Sequence, residues 1–178
     1  KDSGAEAIVI IENFATTLEK VIGNTPVKHV VVAAMGDLLG GLKGTLVNFV
    51  VRKVKKMVPA YSLPGAHGFN GALSQGAGMT LKPVARTRDD VAFLQYTGGT
   101  TGVSKGATLL NRNVVANMLQ VEEWLQPAID THVAGEQVNF VCALPLYHIF
   151  ALTVCNMIGT RIGACTLLIP NPRDIPGF

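Results

Sequence analysis

Charged residues are scarce in this chain: of 178 residues, 15% are Asp, Glu, Lys or Arg, whereas 48% are hydrophobic. Disordered chains show the opposite balance, so this composition predicts a folded globular protein. The formal net charge is only +3, and no stripe of Lys and Arg with interleaved aromatic residues occurs. Nucleic-acid binding is therefore not expected.

Cysteines are also scarce. Cys142, Cys155 and Cys165 lie in apolar stretches, without C-x-x-C spacing or a paired His. They are predicted to be buried, reduced thiols, which suits a cytoplasmic location and argues against zinc or a disulfide framework. The chain has no initial Met, signal peptide or cleavage site, so we expect it to be part of a longer protein.

Charge is absent altogether from residues 138–160, a run long enough for a transmembrane helix. Pro145, His148, Asn139 and Asn156 interrupt this run. A strand, a turn and a helix are therefore the preferred interpretation, and a membrane span is the alternative.

Apolar periodicity predicts an α/β fold made of layered β-α-β units. Residues 7–12 and 27–34 form β-branched runs typical of strands, and residues 14–22 between them show helical spacing. Two such runs joined by one helix indicate parallel strands covered on both faces. His29, at the entrance of the second strand, is interpreted as structural.

Residues 45–58 predict an amphipathic helix. Its apolar residues cover one broad arc, with Arg52, Lys55 and Lys56 opposite and Lys53 at the margin. One interpretation is a surface helix with a solvated basic face, and the other is a helix that rests on an anionic membrane. The following Gly-rich stretch, with a helical turn at 69–75, is predicted to connect two subregions of one domain, 1–85 and 86–178.

The second subregion is predicted to begin with a hairpin. A buried strand at 91–95 is expected to pair with residues 107–110, and Asn111 is predicted to cap a helix that runs to Leu125, with Pro127 just past its end. After a polar loop, the pattern predicts a strand at 138–144, a turn at 145–148, a helix at 149–159, a strand at 165–169 and a turn at 171–178.

The strongest chemical signal lies between the two hairpin strands. The segment consists of Tyr96, Thr97, Gly98, Gly99, Thr100, Thr101, Gly102, Val103, Ser104, Lys105, Gly106 and Ala107. Glycines let backbone N–H groups approach a ligand closely, and successive N–H groups in a turn form an anion site. The hydroxyl groups and the charge of Lys105 suit the same ligand. The segment therefore predicts a polyphosphate-binding loop rather than a Gly/Thr-rich surface turn.

This loop matches neither of two common nucleotide motifs. A Walker A loop requires Gly-Lys-Ser/Thr, but Lys105 follows Ser104 and precedes Gly106. A G-x-G-x-x-G dinucleotide fingerprint is also absent from the sequence.

A second signal is ALPLYHIFAL, at residues 143–152. His148 lies at the top of a predicted strand, where α/β sheets bind ligands. A His in apolar surroundings is more often part of the core. The presence of the predicted phosphate-binding loop in the same unit favours a ligand-binding role for His148 instead.

The pattern T-G-G-T-T-G-x-x-K-G resembles the phosphate-binding loop of the acyl-adenylate-forming enzymes. The segments DDVAFLQYTGGTTGVSKGA, ALPLYHIFALT and LLIPNPRDIPG together resemble the bacterial long-chain fatty-acid–CoA ligases, strongly from residue 89 onward and more loosely before it. This resemblance implies part of the large N-terminal domain of such an enzyme. It also implies the reaction: a fatty acid and Mg·ATP give acyl-AMP and pyrophosphate, and coenzyme A then displaces AMP.

The resemblance also implies residue roles. Lys105 and His148 would be catalytic, residues 96–107 would hold the ATP phosphates, and Tyr147, His148 and Phe150 would contact the fatty acid, with Leu152 adding apolar wall. The family's adenine-binding motif, Mg-binding Glu, ribose-binding Asp and C-terminal-domain Lys have no counterpart in these 178 residues. We therefore expect the 178 residues alone to be inactive.

The implied protein is cytoplasmic, with fatty acid, ATP and coenzyme A as partners and peripheral contact with the anionic inner face of the cytoplasmic membrane as a further expectation. A homodimer stays open. One alternative is an adenylating ligase for another carboxylic acid, and a second is a non-catalytic nucleotide-binding or membrane-docking module.

Overall fold

The computed structural model describes residues 2–97, 105–131 and 136–173. The chain divides into two compact units, Lys1–Pro83 and Val84–Phe178. The interpretation of both units as subregions of one domain stays a prediction.

The first unit is built on a parallel sheet of short β-branched strands. Its elements are β1 (Ala7–Ile11), α1 (Ala15–Glu19), β2 (His29–Ala33), α2 (Gly41–Phe49), β3 (His67–Gly68) and α3 (Phe69–Ala77). β1 pairs with β2 and β2 pairs with β3, both in parallel. The predicted β-α-β unit is therefore confirmed, although its helix is short and is flanked by the 3-10 turns Glu12–Phe14 and Ile22–Asn24.

The sheet is less covered than predicted. Only Val30 is fully buried among the residues of β1 and β2, and Val9 is 65% exposed. The expectation that both faces are covered is wrong for the part of the chain that the structure describes, because α1 is too short to cover more than the residues beneath Ala15 and Leu18.

A close backbone contact holds α2 against the loop that follows β2. A Cβ atom placed on Gly44 would lie 2.4 Å from the carbonyl oxygen of Gly36, so the two backbones touch where only glycine fits. The Gly36 N–H donates to Asn48 Oδ1 at 2.7 Å. Asp37 Oδ2 accepts from the Ala34 N–H at 2.8 Å, which closes the same loop.

The helix at α2 and its π-helical continuation, Val50–Val54, does not bury its apolar arc. Gly44 and Val51 are its buried residues. Its exposed large apolar side chains are Leu42, Leu46, Phe49 and Val54, followed by Met57. The arc is therefore exposed within the described residues, and both interpretations of this helix, a solvated basic face or a membrane-resting surface, stay predictions.

Arg52 also departs from the predicted basic face. Its guanidinium Nε lies 3.0 Å from both carboxylate oxygens of Glu12, whose side chain is only 4% exposed. These hydrogen bonds raise the pKa of Arg52 above its ordinary value. Arg52 is thus paired with a buried carboxylate. Lys53, Lys55 and Lys56 are the exposed lysines beside it.

The second unit combines a hairpin, a long helix and a parallel pair of strands. Its elements are β4 (Val91–Thr97), β5 (Lys105–Leu110), α4 (Asn111–Ile129), β6 (Asn139–Cys142), α5 (Gly159–Arg161) and β7 (Cys165–Leu168), with a π-helical segment at Ala151–Ile158 before α5. β4 and β5 pair antiparallel, and β6 and β7 pair in parallel. The predicted hairpin and strand–turn–helix–strand order are confirmed.

The predictions for the end of α4 and for the burial of β4 are wrong. α4 continues through Pro127 to Ile129, because its last turn is held by the Asp130 N–H bond to the Gln126 carbonyl oxygen and by the side-chain bond from Gln126 to Asp130. β4 is partly exposed rather than buried, because its sheet has two strands in the described part of the chain.

The cysteine prediction holds for two residues and fails for the third. Cys142 and Cys155 form a buried cluster with Ala151, but Cys165 is exposed. Thr166 donates to the Cys155 carbonyl oxygen at 2.8 Å, so β7 turns Thr166 toward the π-helical segment. Strand alternation then turns Cys165 to the other face.

No helix in the described part of the chain has the length and apolar character that crossing a bilayer demands.

Candidate functional site

The open end of the β4–β5 hairpin carries the predicted loop. Thr97 pairs with Lys105, Tyr96 with Gly106 and Gln95 with Ala107. The two strands therefore deliver the hydroxyl of Thr97 and the ammonium of Lys105 to opposite sides of the loop mouth, and both residues are exposed. A hydroxyl donor and a cation placed there fit phosphate oxygens. The predicted site residues Gly98, Gly99, Thr100, Thr101, Gly102, Val103 and Ser104 lie outside the described residues.

The two faces of the hairpin differ. Directly paired residues lie on the same face of an antiparallel sheet, and successive residues alternate between faces. Gln95, Thr97 and Lys105 therefore share one face. Tyr96 and Gly106 share the other, where a Cβ on Gly106 would lie 3.0 Å from Cζ of the Tyr96 ring. Glycine at position 106 lets this ring lie flat across the strand.

The base of the hairpin is fixed to the start of α4. The Asn111 N–H donates to the Asp90 carbonyl oxygen at 2.9 Å, and Asn111 Nδ2 donates to the Thr87 carbonyl oxygen at 2.8 Å. Arg112 forms an ion pair with Asp89. Asn111 is thus the first residue of the helix rather than its cap, and Asn113 Oδ1 instead accepts from the Leu110 N–H at 3.0 Å. These contacts hold the strands that carry Thr97 and Lys105.

His148 closes the turn that follows β6, as predicted. Its N–H donates to the Pro145 carbonyl oxygen at 2.9 Å, and its own carbonyl oxygen accepts from the Leu152 N–H at 2.9 Å. The Phe150 N–H lies 3.3 Å from His148 Nδ1. Because Nδ1 accepts this bond, the neutral ring carries its hydrogen on Nε2, which becomes a donor toward a ligand.

One side-chain contact joins the hairpin to this turn. Gln95 Nε2 donates to the Tyr147 carbonyl oxygen at 3.0 Å, across 52 positions in sequence. The contact brings the two predicted signals, the loop strand and the His148 turn, into one region of the second unit. The Tyr147 side chain itself is 80% exposed.

An apolar cavity of about 460 Å³ lies between α4 and the helical segment after His148. It is lined by Leu109, Asn113, Val114, Asn117, Val121, Ile149, Phe150, Thr153 and Val154. Its volume falls in the range usual for small-molecule sites. Phe150 was predicted to contact an apolar substrate and does line this cavity, whereas Leu152, Tyr147 and His148 do not.

The cavity residues of α4 were missed by sequence reasoning. Val114 and Val121 lie within the helix predicted from residue 111 to Leu125, and apolar residues at helical spacing do not tell a core from a cavity wall. Their spacing at i and i+7 was the available signal.

Metal binding has no visible site here. Within residues 2–97, 105–131 and 136–173, no three His, Cys, Asp or Glu side chains converge to hold an ion.

Comparisons with known proteins cover the whole chain. The protein family described as AMP-binding enzyme matches residues 1–178. A long-chain-fatty-acid–CoA ligase from Escherichia coli O157:H7 is 54% identical over 177 residues, which cover 99% of this chain and 31% of that protein. A ligase of the same description from Haemophilus influenzae is 51% identical over 178 residues, covering 100% of this chain and 31% of that protein.

Among solved structures, ATP-bound MatB from Rhodopseudomonas palustris aligns with a TM-score of 0.51 and 24% identity, covering 86% of this chain and 28% of that one. This likeness concerns the fold alone. The chain spans about a third of the length of the curated relatives it matches.

Proposed function

Because the chain belongs to the AMP-binding enzyme family, we propose that the whole protein activates long-chain fatty acids, forming acyl-AMP from ATP and then acyl-CoA. The observation that carries this proposal is the pairing of Thr97 with Lys105 at the loop mouth, joined through Gln95 to the His148 turn. The curated relatives at 54% and 51% identity are described as long-chain-fatty-acid–CoA ligases, which supports the same substrate class.

Two chemical steps make up the reaction. The fatty-acid carboxylate attacks the α-phosphorus of ATP, and pyrophosphate leaves. The thiolate of coenzyme A then attacks the acyl carbon, forming the thioester and releasing AMP. Negative charge grows on phosphate oxygens in the first step, so a fixed cation and fixed hydroxyl donors lower its barrier.

Lys105 and Thr97 supply those groups. Lys105 is paired with Thr97 in the hairpin, so its ammonium would reach the phosphates from a strand whose position is fixed. Mg²⁺, when bound with ATP, would neutralise part of the phosphate charge. Among the described residues, no cluster of His, Cys, Asp or Glu side chains could hold it.

His148 and the apolar cavity would serve the fatty acid. The Nε2–H of His148 can donate to the substrate carboxylate, and the cavity beside Phe150 can take up alkyl chain. Burial of each methylene contributes about 0.8 kcal/mol, so the cavity favours long, apolar acids over short or polar ones.

ATP–pyrophosphate exchange by the whole protein with acids of graded chain length tests this function. We expect exchange to rise with chain length toward long-chain acids. Exchange that peaks with an aryl or short acid would favour the alternative of another adenylating ligase, and no exchange with any acid would favour a non-catalytic module.

A second function, docking on an anionic membrane, is favoured by the surface of α2 and its continuation. Leu42 is 93% exposed, and the other exposed apolar side chains named above accompany it. Lys53, Lys55 and Lys56 are exposed beside them. An apolar surface with adjacent cations fits the interface of an anionic bilayer.

Vesicle binding tests this docking. Replacing Lys53, Lys55 and Lys56 by Gln removes three charges, each worth about 1 kcal/mol near an anionic surface, so binding should weaken roughly 100-fold at low salt. Lys20, Lys28 and Lys82, replaced together by Gln, are the matched control in the same unit. Equal weakening by both triple variants, or no binding by the wild type, would show that this surface does not dock.

A further inference from the structure

We propose that Gln95 is a positioning residue that sets the orientation of His148 relative to the pair of Thr97 and Lys105. This role deepens the proposed function and rests on it. The contact that carries it is the bond from Gln95 Nε2 to the Tyr147 carbonyl oxygen, 3.0 Å long.

That bond acts on the peptide unit between Tyr147 and His148. The carbonyl oxygen of this unit accepts from Gln95, and its N–H, which belongs to His148, donates to the Pro145 carbonyl oxygen at 2.9 Å. A peptide unit is planar, so bonds at its oxygen and at its hydrogen restrain the rotation of that plane about the line between its two Cα atoms. The Cα atom of His148 lies in that plane, so the same bonds restrain the backbone from which the imidazole extends, and the Phe150 N–H bond to Nδ1 restrains the ring itself.

The other end of Gln95 is equally fixed. Gln95 pairs with Ala107 in the hairpin, two residues before the pair of Thr97 with Lys105. Because strand residues alternate between faces, the side chains of Gln95, Thr97 and Lys105 lie on one face. The face of the hairpin that presents the Lys105 ammonium is therefore also the face that makes the hydrogen bond to the His148 turn.

Glutamine suits this position chemically. Its amide is a neutral donor, and a side chain without a donor at this position would leave the Tyr147 carbonyl oxygen without its protein partner. A carboxylate would repel both that oxygen and a bound phosphate. Leucine has a similar volume and no donor, which makes Gln95→Leu the informative substitution.

The chain offers a matched control. Gln137 Nε2 donates to the Gly163 carbonyl oxygen at 2.8 Å, a bond of the same kind between distant residues of the same unit. Gln137 lies before β6 and contacts none of the site residues named above. Gln137 Nε2 also donates to the neighbouring Val138 carbonyl oxygen at 3.1 Å, so Gln137→Leu removes at least as much hydrogen bonding as Gln95→Leu, but outside the site.

Two readouts on the whole protein test the proposal. In fatty-acid-dependent pyrophosphate exchange, Gln95→Leu should lower kcat by about 10- to 100-fold, since displacement of a reacting group by 1 Å costs this much, while KM for ATP stays within about twofold. Gln95→Lys, which retains a donor of sufficient length, should recover part of the loss. Gln137→Leu should stay near wild type.

The second readout is independent of catalysis. The rate at which diethyl pyrocarbonate modifies His148, followed by peptide mass spectrometry, should rise severalfold in Gln95→Leu, because a loosened turn frees Nδ1 from the Phe150 N–H. An unchanged rate at His148, or an equal rise in Gln137→Leu, would overturn the proposal. If none of the fatty acids supports pyrophosphate exchange by the wild type, the proposed function fails. The modification rates still decide whether Gln95 positions His148.

Discussion

Lys105 is paired with Thr97 at the end of the hairpin. At this position its side chain can be replaced with little effect on the stability of the fold. Its side chain is exposed, and it carries no ion pair among those described in the structure. A change at this position should therefore alter chemistry more than stability.

Lys105→Ala in the whole protein should lower the rate of acyl-AMP formation by about 100-fold, the usual cost of losing one charge-assisted contact to a transition state. Single-turnover measurement of acyl-AMP gives the rate, and thermal unfolding should be unchanged. Lys82→Ala, an exposed lysine of the connector, is the control. A wild-type rate in Lys105→Ala would remove this residue from the catalytic role.

The cysteines should differ in reactivity. Burial, reinforced by a hydrogen bond with Cys142, raises the pKa of Cys155. At any pH near neutrality its thiolate fraction is therefore smaller than that of an ordinary thiol, and labelling should increase only at higher pH. Iodoacetamide at pH 7 should modify the exposed Cys165 first, as read by peptide mass spectrometry. Cys165→Ser should abolish the fast phase, and rapid labelling of Cys155 in the native protein would contradict the buried arrangement.

At the scale of elements, the contact between Gly36 and Gly44 determines how α2 is attached. A methyl group at position 44 would meet backbone atoms that cannot move independently. The same helix contains Gly41, where a Cβ would meet nothing within 4 Å.

Gly44→Ala should therefore destabilise the protein by about 1 to 3 kcal/mol, as overpacking commonly does. Gly41→Ala should be neutral or stabilise by up to about 1 kcal/mol, since alanine favours helix. Urea unfolding of both variants separates the two effects. Equal stability of the two would mean that α2 can shift away from Gly36 at little cost.

Elements with a local cause were predictable from sequence. β1, β2 and the β4–β5 hairpin follow from runs of apolar residues bounded by turns, and the family prediction is confirmed over the whole chain. The π-helical segments were not predictable, because an apolar arc does not distinguish the i+4 from the i+5 hydrogen bond. The end of α4 was missed because Pro127 usually ends a helix, whereas Gln126 and Asp130 hold the last turn here.

Contacts between distant residues were beyond sequence reasoning. Glu12 and Arg52 are 40 positions apart, and nothing in their local patterns pairs them. The same holds for Gln95 and Tyr147. The roles of Thr97, Lys105, His148 and Phe150 stay predictions, although the structure places these residues in one unit.

At the scale of the whole molecule, the connector between the units should be the first point of proteolytic attack. Residues 80–87 have no regular secondary structure, and all of them are exposed. Lys82 precedes Pro83, which hinders trypsin, and the Arg88 carbonyl oxygen is bonded to the Arg112 N–H at 2.9 Å. Arg86 is the site that remains in residues 80–87, and the Thr87 N–H on the far side of the bond that trypsin cuts there donates to the Asp90 side chain at 2.6 Å.

Limited trypsin digestion of the 178-residue chain should therefore yield first the fragments 1–86 and 87–178, identified by mass spectrometry. Arg86→Gln should slow the appearance of both fragments. An earlier cut inside α2 or the hairpin would show that those elements open more readily than the connector.

The division at Pro83 also has a consequence for biosynthesis. Within the described ranges, every strand partner of the first sheet lies before residue 84, so this unit can fold on the ribosome while the remaining residues are still being translated. At about 5 to 20 residues per second, the 95 residues that follow take roughly 5 to 20 seconds to make. In the first part of that interval, before residues 96–107 are made, the apolar side chains around Leu42 and Phe49 are displayed on a nascent chain, where a chaperone or a membrane surface can meet them.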